Sequence, residues 1–150
     1  MSVAKADAFT LEFKRVLPAA PPDVFRLFSD ADELAKWWGP AGFSVPSLDF
    51  NPAVGSSYRI EMQPPQGDAF ALTGEFREVD PPTHLSFTFA WEPPDPDDVE
   101  TLVELIFREE GNSTEVDFRQ GTFKTEERRE LHRHGWGDSF EKLEAIVGDG

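Results

Sequence analysis

Residues 125–147, TEERRELHRHGWGDSFEKLEAIV, decide the fold of this 150-residue chain. His132, Trp136, Phe140, Leu143 and Val147 stand at offsets 0, 4, 8, 11 and 15, which is a single stripe on a helix of 3.6 residues per turn. The stretch therefore reads as a long C-terminal helix with one buried face. Gly135 and Gly137 lie inside it, and each costs roughly 1 kcal/mol relative to alanine in a helix interior. Their presence predicts that something comes close to the helix backbone there, either a sheet or a ligand.

Upstream of the helix the period changes from 3.6 to 2. Leu85, Phe87, Phe89 and Trp91 form one face of a strand, with Ser86, Thr88 and Ala90 on the other. The same alternation appears in Phe9, Leu11 and Phe13; in Tyr58, Ile60 and Met62; in Phe70, Leu72, Gly74 and Phe76; and in Val116 and Phe118. Residues 99–107 are less tidy, since Leu102 and Ile106 put apolar groups on the second face. With a weaker strand near 43–50 the count is about seven. Between the first two strands, Pro21-Pro22-Asp23 starts a helix carrying Val24, Phe25, Leu27 and Phe28. A second short helix runs from Asp30 or Asp32 to Trp37 and is stopped by Gly39-Pro40.

This order predicts an α+β fold in one domain spanning residues 1–150. An antiparallel sheet with one polar face must cover its other face, and the only long amphipathic element available is the last helix. A curved sheet of six or seven strands is expected to wrap around it. The run Glu92-Pro93-Pro94-Asp95-Pro96-Asp97-Asp98 has too much proline to pair and too much charge to pack, so it reads as a mobile acidic hairpin loop.

Composition narrows the function. The formal charge is −15, and phosphate recognition rests on clustered Lys and Arg, so nucleic acid and anionic membrane surfaces are not expected partners. The chain has no cysteine, hence no disulfide, thiolate metal site or Cys nucleophile. Its first residues, Met-Ser-Val-Ala-Lys-Ala-Asp, lack the apolar core of a secretion signal, and no run approaches 18 apolar residues. A cytoplasmic protein, monomeric or homodimeric, is expected. The apolar inventory is rich in rings, with 14 Phe and 4 Trp, and such rings fill a core or line a cavity equally well.

No serine elbow, His-Glu-x-x-His pair or phosphate-binding glycine loop is present. His132 and His134 point about 200° apart on a helix that turns roughly 100° per residue, so they do not converge on one ion. Neither a metal, a cofactor nor a catalytic residue is expected. His132 shares the inward stripe, where it either hydrogen-bonds to the sheet or contacts a ligand. His134 and His84 read as solvent-side or loop residues. Arg128, Arg129 and Arg133 either meet an anionic group at a cavity mouth or pair with Glu126, Glu127 and Glu130, and their spacing favours the second. Trp37 and Trp38, as neighbours on a helix, are expected to send one ring inward and the other elsewhere.

Three motifs in order carry a family resemblance. They are Ala20-Pro21-Pro22-Asp23-Val24-Phe25 leading into Leu34-Ala35-Lys36-Trp37-Trp38-Gly39-Pro40; Gly74-Glu75-Phe76-Arg77-Glu78-Val79-Asp80-Pro81-Pro82; and His132-Arg133-His134-Gly135-Trp136 followed by Phe140 and Leu143. Together they resemble the helix-grip superfamily called SRPBCC or START-like. Within it, the chain is most similar to the group related to the C-terminal domain of the activator of the heat-shock-protein-90 ATPase. The resemblance implies a cavity between sheet and helix that holds an apolar or amphipathic small molecule. Relatives often carry a histidine in the last strand where this chain has Gln120. The residues expected to line the cavity are Trp38, Tyr58, Phe76, Phe87, Phe89, Trp91, His132, Trp136 and Phe140. Two alternatives accompany ligand binding: a chaperone partner in the stress response, or a cyclase- or hydrolase-type enzyme using His132 as acid or base.

Overall fold

The computed structural model describes residues 9–40, 42–92 and 98–149, with side chains to residue 147. Among the described residues seven strands form one antiparallel sheet: β1 (Leu11–Leu17), β2 (Ser44–Asp49), β3 (Ser57–Gln63), β4 (Phe70–Asp80), β5 (His84–Glu92), β6 (Thr101–Glu110) and β7 (Ser113–Gly121). Helices α1 (Pro21–Ser29) and α2 (Ala31–Ala35) follow β1, and α3 (Glu126–Asp149) closes the chain. The spatial order is β1-β7-β6-β5-β4-β3-β2, so β1 crosses to pair with the last strand while the rest form a meander. This is the helix-grip architecture. Among the described residues no helix is long and apolar enough to cross a membrane.

Local signals account for the helix ends. Pro21 and Pro22 occupy the first turn of α1, where a missing N–H costs nothing. The Asp30 carboxylate accepts hydrogen bonds from the backbone N–H groups of Asp32 (2.9 Å) and Glu33 (3.2 Å), which selects Asp30 as the cap of α2. That helix ends at Ala35, two residues short of the expected Trp37. The chain turns through Lys36 and Trp37 and reaches Gly39, whose φ of +95° suits glycine. Thr125 caps α3 by accepting from the N–H of Arg128, 3.1 Å away.

The sheet places Phe87 and Phe89, Val103 and Leu105, and Val116 and Phe118 on its buried face. The stripe of α3 lies against it. Phe118 is 4.6 Å from Trp136, and Phe13 is 5.0 Å from Phe140, measured between ring centres. Phe140 and Leu143 are fully buried, and Val147 packs at the edge of the core. Helix α1 covers the neighbouring part of the sheet, with Phe25 and Phe28 at 5.3 and 5.2 Å from Phe107. Each buried side chain of this kind contributes about 1.5–3 kcal/mol relative to exposure, so the stripe is enough to fix the helix on the sheet.

One expectation from adjacency fails. Both Trp37 and Trp38 are buried, because they lie beyond the end of α2, where helix faces no longer apply. Trp37 packs on Phe28 and donates its Nε1–H to the Leu27 carbonyl at 2.9 Å. Of the two alternatives for the glycines of α3, the sheet is not the one that comes close, and Gly135 borders open space between helix and sheet. A Cβ on Gly135 would meet only Pro40 Cγ, at 3.7 Å, and one on Gly137 would meet nothing within 4 Å. The tight glycine is Gly74, where a Cβ would stand 1.9 Å from the Thr88 carbonyl oxygen and 2.7 Å from the Tyr58 ring. The register of β4 on β5 shifts just beyond it, between Phe76 and Glu78, as strands do at a bulge. The proposed acidic loop, residues 93–97, lies outside the described residues.

Candidate functional site

A cavity of about 460 Å³ opens between the sheet and α3. From the sheet come Met62, Phe70, Leu72, Phe89 and Trp91; from α3, Arg128, Leu131, His132, Gly135, Trp136 and Ser139. The segment after α2 supplies Trp38, Gly39, Pro40 and Phe43, and Asp98 closes one end. Its size lies in the range of about 300–1,000 Å³ usual for small-molecule sites, and its walls are chiefly apolar.

Of the nine residues expected to line it, five do: Trp38, Phe89, Trp91, His132 and Trp136. Tyr58, Phe76 and Phe87 form a separate cluster with Phe50, at ring separations of 5.1 to 6.2 Å, and Phe140 lies in the core between Trp37 and Phe118. Within that cluster the Tyr58 hydroxyl donates to the Thr88 carbonyl at 2.6 Å, and burial holds its pKa well above the ordinary value. Met62, Phe70, Leu72, Phe43 and Leu131 line the cavity without having been singled out. Met62, Phe70 and Leu72 carry a legible signal, since they share the inward faces of β3 and β4. Phe43 and Leu131 carry none: Leu131 is 56% exposed and stands outside the stripe.

Three small hydrogen-bonded networks hold the wall. Trp91 donates its Nε1–H to His132 Nε2 at 3.1 Å, and His132 Nδ1 lies 2.9 Å from the Arg128 carbonyl. An indole N–H only donates and a carbonyl only accepts, so His132 is the neutral tautomer carrying its proton on Nδ1. Burial lowers its pKa, and the nearby Arg128 charge adds to this against the backbone hydrogen bond and Asp98. Trp136 donates to Gln120 Oε1 at 2.8 Å, and the Gln120 amide donates to Thr101 Oγ1 at 2.9 Å. Gln120 thus fixes one indole and His132 another. Ser139 Oγ accepts from the Gly39 N–H (3.0 Å) and has the carbonyls of Gly39 (3.1 Å) and Gly135 (3.0 Å) within reach of its own proton. This ties the segment after α2 to α3.

The arginines divide. Arg129 and Arg133 pair with Glu130, as their spacing suggested. Arg128 instead turns to Asp98, its Nε 2.8 Å from Oδ1, in a pair that is largely buried at the end of the cavity. Sequence spacing could not reveal that partner, 30 residues away. On the outer face of the sheet, the possible ligand atoms of Glu78, Asp80 and His84 all lie within 4.8 Å of one another, with both acids exposed.

The comparisons agree with this fold. Residues 18–148 match the family model described as Activator of Hsp90 ATPase homolog 1-like protein, and the chain belongs to that family. A crystal structure of a protein from Chromobacterium violaceum superposes with a TM-score of 0.84 at 26% identity, covering 93% of this chain and 96% of that one. The AHSA1 protein of Silicibacter pomeroyi superposes with a TM-score of 0.82 at 28% identity, covering 93% and 97%. A protein of Mycobacterium smegmatis, at 21% identity and a TM-score of 0.80 over 95% and 92% of the two chains, shares the fold. No curated protein matches the chain.

Proposed function

We propose that the protein binds an apolar or amphipathic small molecule in the cavity between the sheet and α3. The observation that carries this is the 460 Å³ space walled by Trp38, Phe89, Trp91 and Trp136. Apolar surface left facing such a space gains about 25 cal/mol per Å² when an apolar guest displaces water from it. A neutral fluorescent probe, N-phenyl-1-naphthylamine, is expected to bind with saturation and to change the tryptophan emission. Gly135→Leu, which puts a branched side chain on the cavity wall beside Pro40, should weaken that binding by about tenfold or more, the loss of roughly 1.4 kcal/mol. The reading fails if the unmodified protein shows no saturable binding.

An acid–base role for His132 receives less support, because both ring nitrogens are engaged within the protein. The family match favours a second reading, stimulation of a chaperone ATPase. An ATPase assay with an Hsp90 homologue from the same host decides it: unchanged turnover removes it.

A further inference from the structure

On the outer face of the sheet, the β4-β5 hairpin gathers three side chains of the kind that ligate metals. Asp80 and His84 stand directly opposite one another in the register, and Glu78 opposes Ser86 two residues further from the turn. Residues two apart on a strand share a face, so all three project from the same side of the hairpin. One ligand atom from each lies within 4.8 Å of the other two, with both carboxylates exposed and the imidazole half-buried.

The turn that joins them is tied down. The Thr83 N–H donates to the Asp80 carbonyl at 2.8 Å, and the Phe107 N–H of β6 donates to the Thr83 carbonyl at 2.8 Å. The single proton of the Thr83 hydroxyl goes to Asp80, whose carbonyl lies at 3.1 Å and whose carboxylate lies at 3.5 Å. That hydroxyl is then the acceptor for His84 Nδ1–H, 3.1 Å away. The network assigns His84 the tautomer with its proton on Nδ1 and a bare lone pair on Nε2. A metal-ligating histidine is held in this way, by a hydrogen bond from its far nitrogen. Charge points in the same direction. Among the described residues neither Glu78 nor Asp80 is ion-paired with a lysine or arginine, and the adjacent Arg77 turns to Glu75. Two carboxylates on one strand face repel each other, and a dication between them removes that repulsion.

We propose that Glu78, Asp80 and His84 form a site for a divalent transition-metal ion of the Zn²⁺ type, held by one imidazole nitrogen and two carboxylates, with water completing the shell. The imidazole favours Zn²⁺ over Mg²⁺ and Ca²⁺, which prefer oxygen ligands alone. Bonds of about 2.0–2.2 Å require the three ligand atoms to draw together, which exposed carboxylates do by rotating. None of the three lines the cavity, so this site stands or falls apart from the small-molecule reading.

Calorimetric titration of the intact protein with Zn²⁺ is expected to show a saturable site, and Co²⁺ is expected to broaden amide NMR signals centred on residues 78–86. His84→Ala and Asp80→Asn should each weaken Zn²⁺ binding by about tenfold or more, the scale on which metal sites respond to loss of a single partner. His134→Ala should leave the affinity unchanged. The proposal is overturned by absence of saturable binding, by broadening centred elsewhere, or by a loss in His134→Ala in place of His84→Ala. Binding of Mg²⁺ or Ca²⁺ as tight as that of Zn²⁺ also overturns it, because carboxylates alone would then suffice. Should a variant not fold, the Co²⁺ map of the unmodified protein decides.

Discussion

The two ends of the β3-β4-β5 face are built from the same kind of residue and end up in opposite states. Around Tyr58, Phe76 and Phe87 the rings touch edge to face, with Phe50 completing the cluster, and none of the four lines the cavity. Around Phe70, Phe89 and Trp91, a few residues along the same strands, the face borders a 460 Å³ space. The strands do not explain the contrast, but the covering elements do. Over the packed end lies Phe50, whereas over the hollow end the cover sets Gly39, Pro40, Gly135 and Ser139 between the rings of Trp38, Phe43 and Trp136, which border the space without filling it. A cavity in this fold is set by what the cover lacks.

The sharpest way to break the comparison is Gly74→Ala, at the packed end. The added methyl would collide with the Thr88 carbonyl and the Tyr58 ring, and because one of these is backbone the strands themselves must part. A loss of more than about 3 kcal/mol is expected in urea denaturation, at the upper end for overpacking. Truncation comes next. Phe87→Ala, in the packed cluster, should cost about 3–5 kcal/mol, while Leu131→Ala, on the exposed rim of the hollow end, should cost under about 1 kcal/mol. Equal losses at the two sites would dissolve the distinction between the ends.

The hollow end also carries a pH dependence. His132 is buried neutral with a folded pKa below its ordinary 6.5, so the unfolded chain binds more protons in the window between the two values. Its contribution is complete above about pH 6.5 and is lost as pH falls toward the folded pKa, because protonation ejects the Trp91 N–H. Denaturation of the protein and of His132→Gln across pH 7 to 5 checks this: the variant should show a shallower decline. The smallest effect belongs to Gly137→Ala, which meets no neighbour and should raise stability by up to about 1 kcal/mol. A loss there would restore the idea that α3 is thinned for contact at this position.

The stripe from His132 to Leu143 was legible because a helix with one buried face must repeat apolar residues at 3.6, and that requirement is local. The alternation in β4 and β5 was legible for the same reason with period 2. The pairing of Trp37 and Trp38 was misread because a helix boundary two residues off changes which faces exist. Gly135 and Gly137 suggest a sheet or a ligand nearby, yet the glycine that a strand crowds is Gly74, since nothing local in a glycine says whether a carbonyl stands over it. Arg128 looked like its neighbours Arg129 and Arg133 until the chain returned Asp98 to it.

The sequence by itself determined the element order and a sheet curled around the last helix, which follow from periodicity and caps, while its three motifs carried the resemblance to the family. Only the tertiary structure decided which inward-facing rings pack together and which border a void. That depends on the volumes brought opposite them by α3 and by the segment after α2, and volume across a gap is a sum over residues distant in the chain.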